Sequence, residues 1–194
     1  MTEADLLDRC RKGDREAQRS VYDRTCQRIF RLLIGMTRNP DDAFDLSQDT
    51  YVRAFQRIGQ FQGESSLSTW LYRIAVNEAL QLLRRKRPAE LGIHVEPVDP
   101  KSVDGSYKTA DARLDLEAAL QKISDDDRAI LLLKYQEGLD YRAIAQVLDC
   151  PAGTVASRLN RARHAMREIL GPGYESMEES TLSTHPISGR HPIE

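Results

Sequence analysis

The chain has 194 residues and a formal net charge of −2, with 40% hydrophobic and 30% charged residues. This length supports one ordinary domain or two small ones, and the balance of apolar and charged residues excludes a wholly disordered chain. No apolar run reaches the roughly 20 residues that cross a bilayer, and Met1–Cys10 is too polar for a secretory signal. Cys10, Cys26 and Cys150 lie far apart. That excludes a disulfide framework and a cysteine zinc site, and points to a reducing cytoplasm.

Charge is distributed unevenly. Met1–Arg87 carries +4, Pro88–Arg113 −2, Leu114–Leu170 −1 and the remainder −3. Helix signals fill the first of these segments. Thr2 is placed to cap a short helix, and Asp14 a longer one through Thr37. Asn39-Pro40 predicts an N-cap followed by proline at the first helical position, for a helix to about Ile58. "GQFQGESS" breaks the pattern, and Ser68 is placed to cap a fourth helix through about Lys86.

Pro88–Lys108 holds three prolines and two glycines and is expected to be a flexible linker. A second helical block opens near Thr109. Ser124 and the three aspartates after it mark a helix start, Gly138 its end, and Asp140 a cap for the next short helix. "DCPAG" reads as a turn before a last helix to Leu170, and the acidic tail after it as disordered. The expected architecture is all-α: a helical domain at 1–87, a linker at 88–112, a second helical domain at 113–170 and a tail at 171–194.

"LDYRAIAQVLDCPAGTVASRLNRARHAMREIL" has the spacing of a helix-turn-helix. In its last helix Val155, Leu159, Ala162, Met166, Ile169 and Leu170 fall within an arc of about 100°, the width of a buried stripe. Ala156, Ser157, Asn160, Arg161, Arg163, His164 and Arg167 lie outside it. Small and polar side chains let a helix approach the major groove, where Asn and Arg read base edges or hold phosphates. The amides at its start, around Thr154, are free to meet a phosphate. A basic helix face is often only solvated, so spacing alone leaves DNA binding open.

The first block offers two further faces. Asp42, Asp45, Asp49, Arg53 and Gln56 fall within about 80° of one another, opposite a packing side of Ala43, Phe44, Tyr51, Ala54, Phe55 and Ile58. Such a stripe is either solvated or covered by a basic partner. On the next helix Arg73, Asn77, Gln81 and Arg84 share a face that begins at Trp70, with Ser65, Ser66, Ser68, Thr69 and Tyr72 nearby. Aromatic, amide and arginine groups together suit an unstacked base beside a phosphate backbone; the alternative is a core Trp70 and solvated arginines. His94, His164, His185 and His191 are scattered. No phosphate-cradling glycine loop, metal-ligand spacing or nucleophile motif is present, so an enzyme, a cofactor and a metal are not expected.

"DAFDLSQDTYVRAFQRIGQFQGESSLSTWLYRIAVNEALQLLRRKR" resembles region 2 of bacterial extracytoplasmic-function sigma factors. "ALQKISDDDRAILLLKYQEGLDYRAIAQVLDCPAGTVASRLNRARHAMREIL" resembles their region 4. The resemblance implies a factor that binds core RNA polymerase, reads −10 and −35 promoter elements and helps open the duplex. It places Asp45, Leu46, Gln48 and Asp49 against the β′ clamp helices, with the β flap as a second polymerase contact. It places −10 recognition on the Gly59–Ser68 loop and the following helix, through Ser65, Ser68, Trp70, Arg73, Asn77 and Arg84. It places −35 recognition on Thr154, Ser157, Arg158, Asn160, Arg161 and Arg163. Ala156 stands where the family usually has a basic residue, and Asn160 where a bulkier one is common, which leaves the −35 sequence open. The resemblance also implies a cytoplasmic location and an anti-sigma partner, often anchored in the membrane. A free-standing helix-turn-helix regulator and a protein-interaction module without a DNA role are the two alternatives.

Overall fold

The computed structural model describes residues 3–90 and 116–170, and the helices that open at Arg15, Pro40, Leu67, Asp125 and Tyr141 each begin where a side chain satisfies free amides of the helix start. Helix α1 is Glu3–Arg11. Asp14 caps α2, Arg15–Thr37, by accepting from the amides of Glu16 and Ala17 at 2.9 and 3.2 Å. The Arg9 guanidinium, 2.7 Å from that carboxylate, holds its pKa below the usual aspartate value. Arg38 ends α2 in the left-handed region (φ 58°). Asn39 then caps α3, Pro40–Arg57, through the amides of Asp41 and Asp42.

After a 3-10 turn at Ile58–Gln60, α4 runs Leu67–Glu90. Its cap is Ser66, not Ser68: the Ser66 hydroxyl accepts from the Thr69 amide at 3.1 Å, and Glu3 accepts from the Leu67 amide at 3.1 Å. Burial of Leu67, 6% exposed, draws the start back towards α1. The helix continues through Pro88 to Glu90, beyond the expected boundary at Arg87.

Residues 116–122 form α5. Ser124 caps α6, Asp125–Leu131, which widens into a π turn at Leu132–Gln136 before Gly138 (φ 69°). Asp140 caps α7, Tyr141–Leu148, and a turn through Asp149 (φ 49°) leads to α8, Ala152–Leu170. The described residues contain no strand. The cap expected at Thr2, the linker after Glu90, the start of the second block and the tail lie outside the described residues.

α1–α4 enclose Leu32, Leu33, Met36, Leu71, Tyr72 and Val76, and α6–α8 enclose Ile130, Leu133, Ile144, Val155 and Leu159, all below 2% exposure. Each such side chain contributes about 1.5–3 kcal/mol of hydrophobic stabilisation. The two helical domains share one continuous core, because α7 packs along α4 and α6 reaches α2. Gly35 in α2 is the seat for Leu132: a methyl group added at Gly35 would lie 2.9 Å from the Leu132 Cδ1.

Candidate nucleic-acid interface and docking stripe

The acidic stripe of α3 divides into two kinds of residue. Asp42 is bound to the Lys86 ammonium at 2.6 and 2.8 Å, and Arg53 to Glu78 at 3.0 Å. Asp45, Gln48 and Asp49 are exposed. Leu46, 6% exposed, packs in the core and supports the stripe from beneath. Ala43, Tyr51, Ala54 and Ile58 are buried as expected, but Phe44 is 57% exposed. It sits at the rim of the packing side. With Val52, 53% exposed, it adds an apolar component to the acidic face.

The loop after α3 and the start of α4 form a cleft of about 180 Å³, lined by Phe61, Gln62, Ser65, Trp70, Arg73 and Gln146 among others. Trp70 is half-buried, its ring 5.3 Å from that of Phe61. One side of the indole is thus anchored while the rest borders the cleft. Ser65 and Ser68 are half-buried beside it, and Arg73, Asn77, Gln81 and Arg84 are exposed along the same helix. The sequence brings these together as expected. Tyr72 departs from the expected grouping: it is 1% exposed, turned into the core, and its hydroxyl donates to Glu137. Burial raises the Tyr72 pKa, with the adjacent carboxylate adding to the effect.

On α8 the stripe is as the periodicity predicts. Val155, Leu159, Ala162 and Met166 are buried, with Ile169 and Leu170 partly so. Ser157, Asn160, Arg161, His164 and Arg167 are exposed, while Thr154, Ala156, Arg158 and Arg163 are half-buried. Ser157 donates to the Thr154 carbonyl at 2.9 Å, Arg161 pairs with Asp127 at 3.2 Å, and Arg163 donates to Asn160. This exposed face is therefore ordered by its own domain.

Side chains that the sequence does not single out join the domains. Glu137, its side chain 1% exposed, accepts from Arg28 Nε at 3.1 Å and from Tyr72; Arg28 also donates to the Glu137 carbonyl at 3.2 Å. Arg128, 6% exposed, donates to Leu120 O at 2.7 Å and to Met36 O at 2.8 Å, at the ends of α5 and α2. Helix C-termini carry partial negative charge, so a buried guanidinium fits there, although burial lowers its pKa. The one signal in sequence is a glycine within a helix, Gly35. Among the described residues no group of His, Cys, Asp or Glu is arranged to hold a metal ion, and no helix is long and apolar enough to cross a membrane.

A helical domain with an exposed acidic stripe and an aromatic-basic cleft, followed by a helix-turn-helix, is the architecture of a transcription-initiation factor. Residues 21–89 match sigma-70 region 2, and residues 113–166 match sigma-70 region 4. The RNA polymerase sigma-H factor of Pseudomonas aeruginosa is 33% identical over 86% of this chain and 93% of its own length. An ECF RNA polymerase sigma-E factor of Haemophilus influenzae is 31% identical, covering 89% and 97%. ECF RNA polymerase sigma factor SigW of Bacillus subtilis is 32% identical, covering 82% and 92%. The sigma factor RpoE of Bartonella quintana, solved with the anti-sigma factor NepR, is 29% identical with a TM-score of 0.64 over 78% of this chain and 95% of that one. The protein belongs to the extracytoplasmic-function family of sigma-70 factors. It is a non-enzymatic factor of promoter-directed transcription initiation.

Proposed function

We propose that α3 docks this factor on core RNA polymerase, that α4 and its cleft read the −10 element as an opened strand, and that α8 reads the −35 element in the major groove. Family membership sets aside a free-standing regulator and a module without a DNA role. The observation that carries the docking assignment is the split in the α3 stripe. Asp42 and Arg53 find partners within the chain, while Asp45, Gln48 and Asp49 face outward beside Phe44 and Val52. A basic surface with an apolar centre complements that face, and the β′ clamp helices are the partner in this reading. The second domain contacts the β flap. The −10 assignment rests on Trp70 and Arg73 at the cleft and on Asn77, exposed further along α4; the −35 assignment rests on Ser157, Asn160 and Arg161. The boundaries proposed are 1–87 for region 2 and 113–170 for region 4. The factor works in the cytoplasm. An anti-sigma protein that covers these faces silences it, and a membrane anchor on that protein would hold the pair at the membrane.

The test is a charge reversal. Asp45→Arg with Asp49→Arg leaves helix content unchanged by circular dichroism, because both side chains are exposed. Placing like charges against a basic partner costs several kcal/mol, so capture of core polymerase and transcription from a promoter-bearing template fall at least tenfold. Normal capture by the folded double variant removes the docking role.

A further inference from the structure

The loop at 61–66 forms one wall of the cleft, yet it carries little that would hold it in place by itself. Gln62, Gly63, Glu64 and Ser66 are exposed, and Gly63 takes φ 77°, in the left-handed region. Exposed segments with few buried contacts open locally at low cost. A surface that stacks a base binds better when it is already in place, because ordering it on binding weakens the complex. Here both ends of the loop are tied to α1. Arg11, in the last turn of α1, donates from Nη2 to the Phe61 carbonyl at 2.8 Å. Glu3, in the first turn, accepts from the Leu67 amide at 3.1 Å.

The anchors themselves are seated. Leu6, Leu7 and Cys10 bury α1 in the core of the first domain. The helix dipole accounts for an acid at the start of a helix and a base at its end, but not for the direction these two take, each towards a backbone group of the loop. Asp8 accepts from Arg11 Nη1 at 2.9 Å, which leaves the other arm of the guanidinium fork aimed at Phe61. The Phe61 ring lies 5.3 Å from that of Trp70, and Phe61 is 5% exposed, so what fixes the Phe61 backbone also fixes the aromatic pair. At the other end Leu67 opens α4 one turn before Trp70. Neither Glu3 nor Arg11 lines the cleft.

We propose that α1 positions the −10 reader: Glu3 and Arg11, the latter oriented by Asp8, clamp the two ends of the 61–66 loop and set the Phe61–Trp70 wall of the cleft before a strand arrives. They are positioning residues, acting through the loop and not on the base. Their opposite charges separate this role from attraction to phosphate. A lost clamp harms discrimination whichever end is cut. A phosphate attraction would weaken with Arg11 alone, and removing Glu3 would strengthen it. This rests on the assignment of the α4 cleft to the −10 strand.

Trp70 is the sole tryptophan of the chain, so its fluorescence reports on the cleft in the full chain without polymerase. Glu3→Ala and Arg11→Met each raise acrylamide quenching of that emission about twofold as the loop opens, while circular dichroism shows helix content unchanged. Glu3→Gln quenches as the wild type does, because its amide oxygen still accepts from the Leu67 amide. The same variants are then assembled with core polymerase on a promoter mapped from the transcripts that the holoenzyme starts. Glu3→Ala and Arg11→Met each lower discrimination against a substituted −10 base about fivefold, as the loss of one hydrogen bond allows. Glu3→Gln discriminates normally, and −35 discrimination and polymerase capture do not change. Unchanged quenching in both folded variants overturns the clamp. Raised quenching with undiminished −10 discrimination overturns its part in reading, and so does an equal loss at −10 and −35, which marks a general loss of structure. Tighter promoter binding by Glu3→Ala and weaker binding by Arg11→Met, with discrimination intact, gives the pair to phosphate attraction instead. If, besides, Trp70→Ala leaves the −10 preference of the holoenzyme intact, the cleft assignment itself is what has failed.

Discussion

Helices α4 and α8 both present arginine and amide side chains to the surface, yet the structure treats them differently. On α4, Arg73 and Arg84 face carboxylates of the other domain. On α8, Arg161 and Arg163 are held by Asp127 and Asn160 of their own domain. One face is engaged from outside and the other organised from within. The difference shows that exposure of a basic face does not measure its readiness. What matters is which domain supplies its counter-charges.

The largest expected effect comes from the residue that joins both scaffolds. Arg128→Met keeps the length of the side chain but removes the donors to Leu120, Gln121, Ile123 and Met36 carbonyls. Leaving buried carbonyls unsatisfied costs about 1–3 kcal/mol for each group that water does not reach. A loss of about 2–4 kcal/mol in denaturant unfolding is expected, with α8 as well as the domain contact affected. A wild-type midpoint would show that the two readers do not depend on a common support.

Next in size is a pair of substitutions that divides the readers. Trp70→Ala removes a stacking surface of about 1–3 kcal/mol per base. It should abolish preference at one −10 position in holoenzyme footprinting and leave −35 preference unchanged. Arg161→Ala should do the reverse, at about 1–3 kcal/mol for one −35 base pair. A −10 preference that follows Arg161 would break the division.

Most of the fold is legible in the sequence because its boundaries are set by local chemistry. Asp14, Asn39, Ser124 and Asp140 act as caps through bonds to amides two or three residues away. The buried stripe of α8 follows from the helical period. What local pattern misses is long-range. The cap at Ser66 depends on Glu3 and a buried Leu67, Phe44 is left exposed at the rim of the packing side, and Tyr72 turns inward towards a carboxylate 65 residues away. The residues proposed for docking and reading are recognisable as types at a spacing. The contacts that Arg28 and Gly35 of α2 make with Glu137 and Leu132 are not, since the two pairs lie about 100 residues apart and carry no shared motif.

A smaller effect sharpens the comparison on α8 itself. Arg163 donates to Asn160, so the two do not act independently. Asn160→Ala and Arg163→Ala should be non-additive by at least about 0.5 kcal/mol in −35 duplex binding by the holoenzyme, as contacting residues are. Arg163→Ala alone should lower the salt slope by about one. Full additivity would mean that the pair separates on DNA.

The smallest effect concerns how α8 is kept in check by its own domain. Asp127 accepts the Ser124 hydroxyl at 2.7 Å through one oxygen and Arg161 at 3.2 Å through the other. Its side chain is 13% exposed, whereas that of Arg161 is 65% exposed. The carboxylate thus neutralises a reader cation and also fixes where the guanidinium points. Asp127→Asn preserves the size and the acceptor oxygen for Ser124, and the backbone cap from Ser124 to the residue 127 amide is untouched. The charge is removed, and an amide nitrogen that cannot accept from Arg161 takes the place of the second carboxylate oxygen. Arg161 then carries an uncompensated positive charge, so binding to any duplex should tighten by a few-fold at low salt and the gain should vanish as salt rises, since it is long-range attraction to phosphate. Discrimination between the cognate −35 element and a random duplex should fall, because a guanidinium released from its orienting partner contacts phosphate as readily as a base edge. A variant with tighter binding and undiminished discrimination would show that Asp127 limits affinity without aiming Arg161. Unchanged affinity would show that Arg161 leaves Asp127 on reaching DNA at no net cost, and that the counter-charge within the domain is as readily shed as those that the second domain lends to α4.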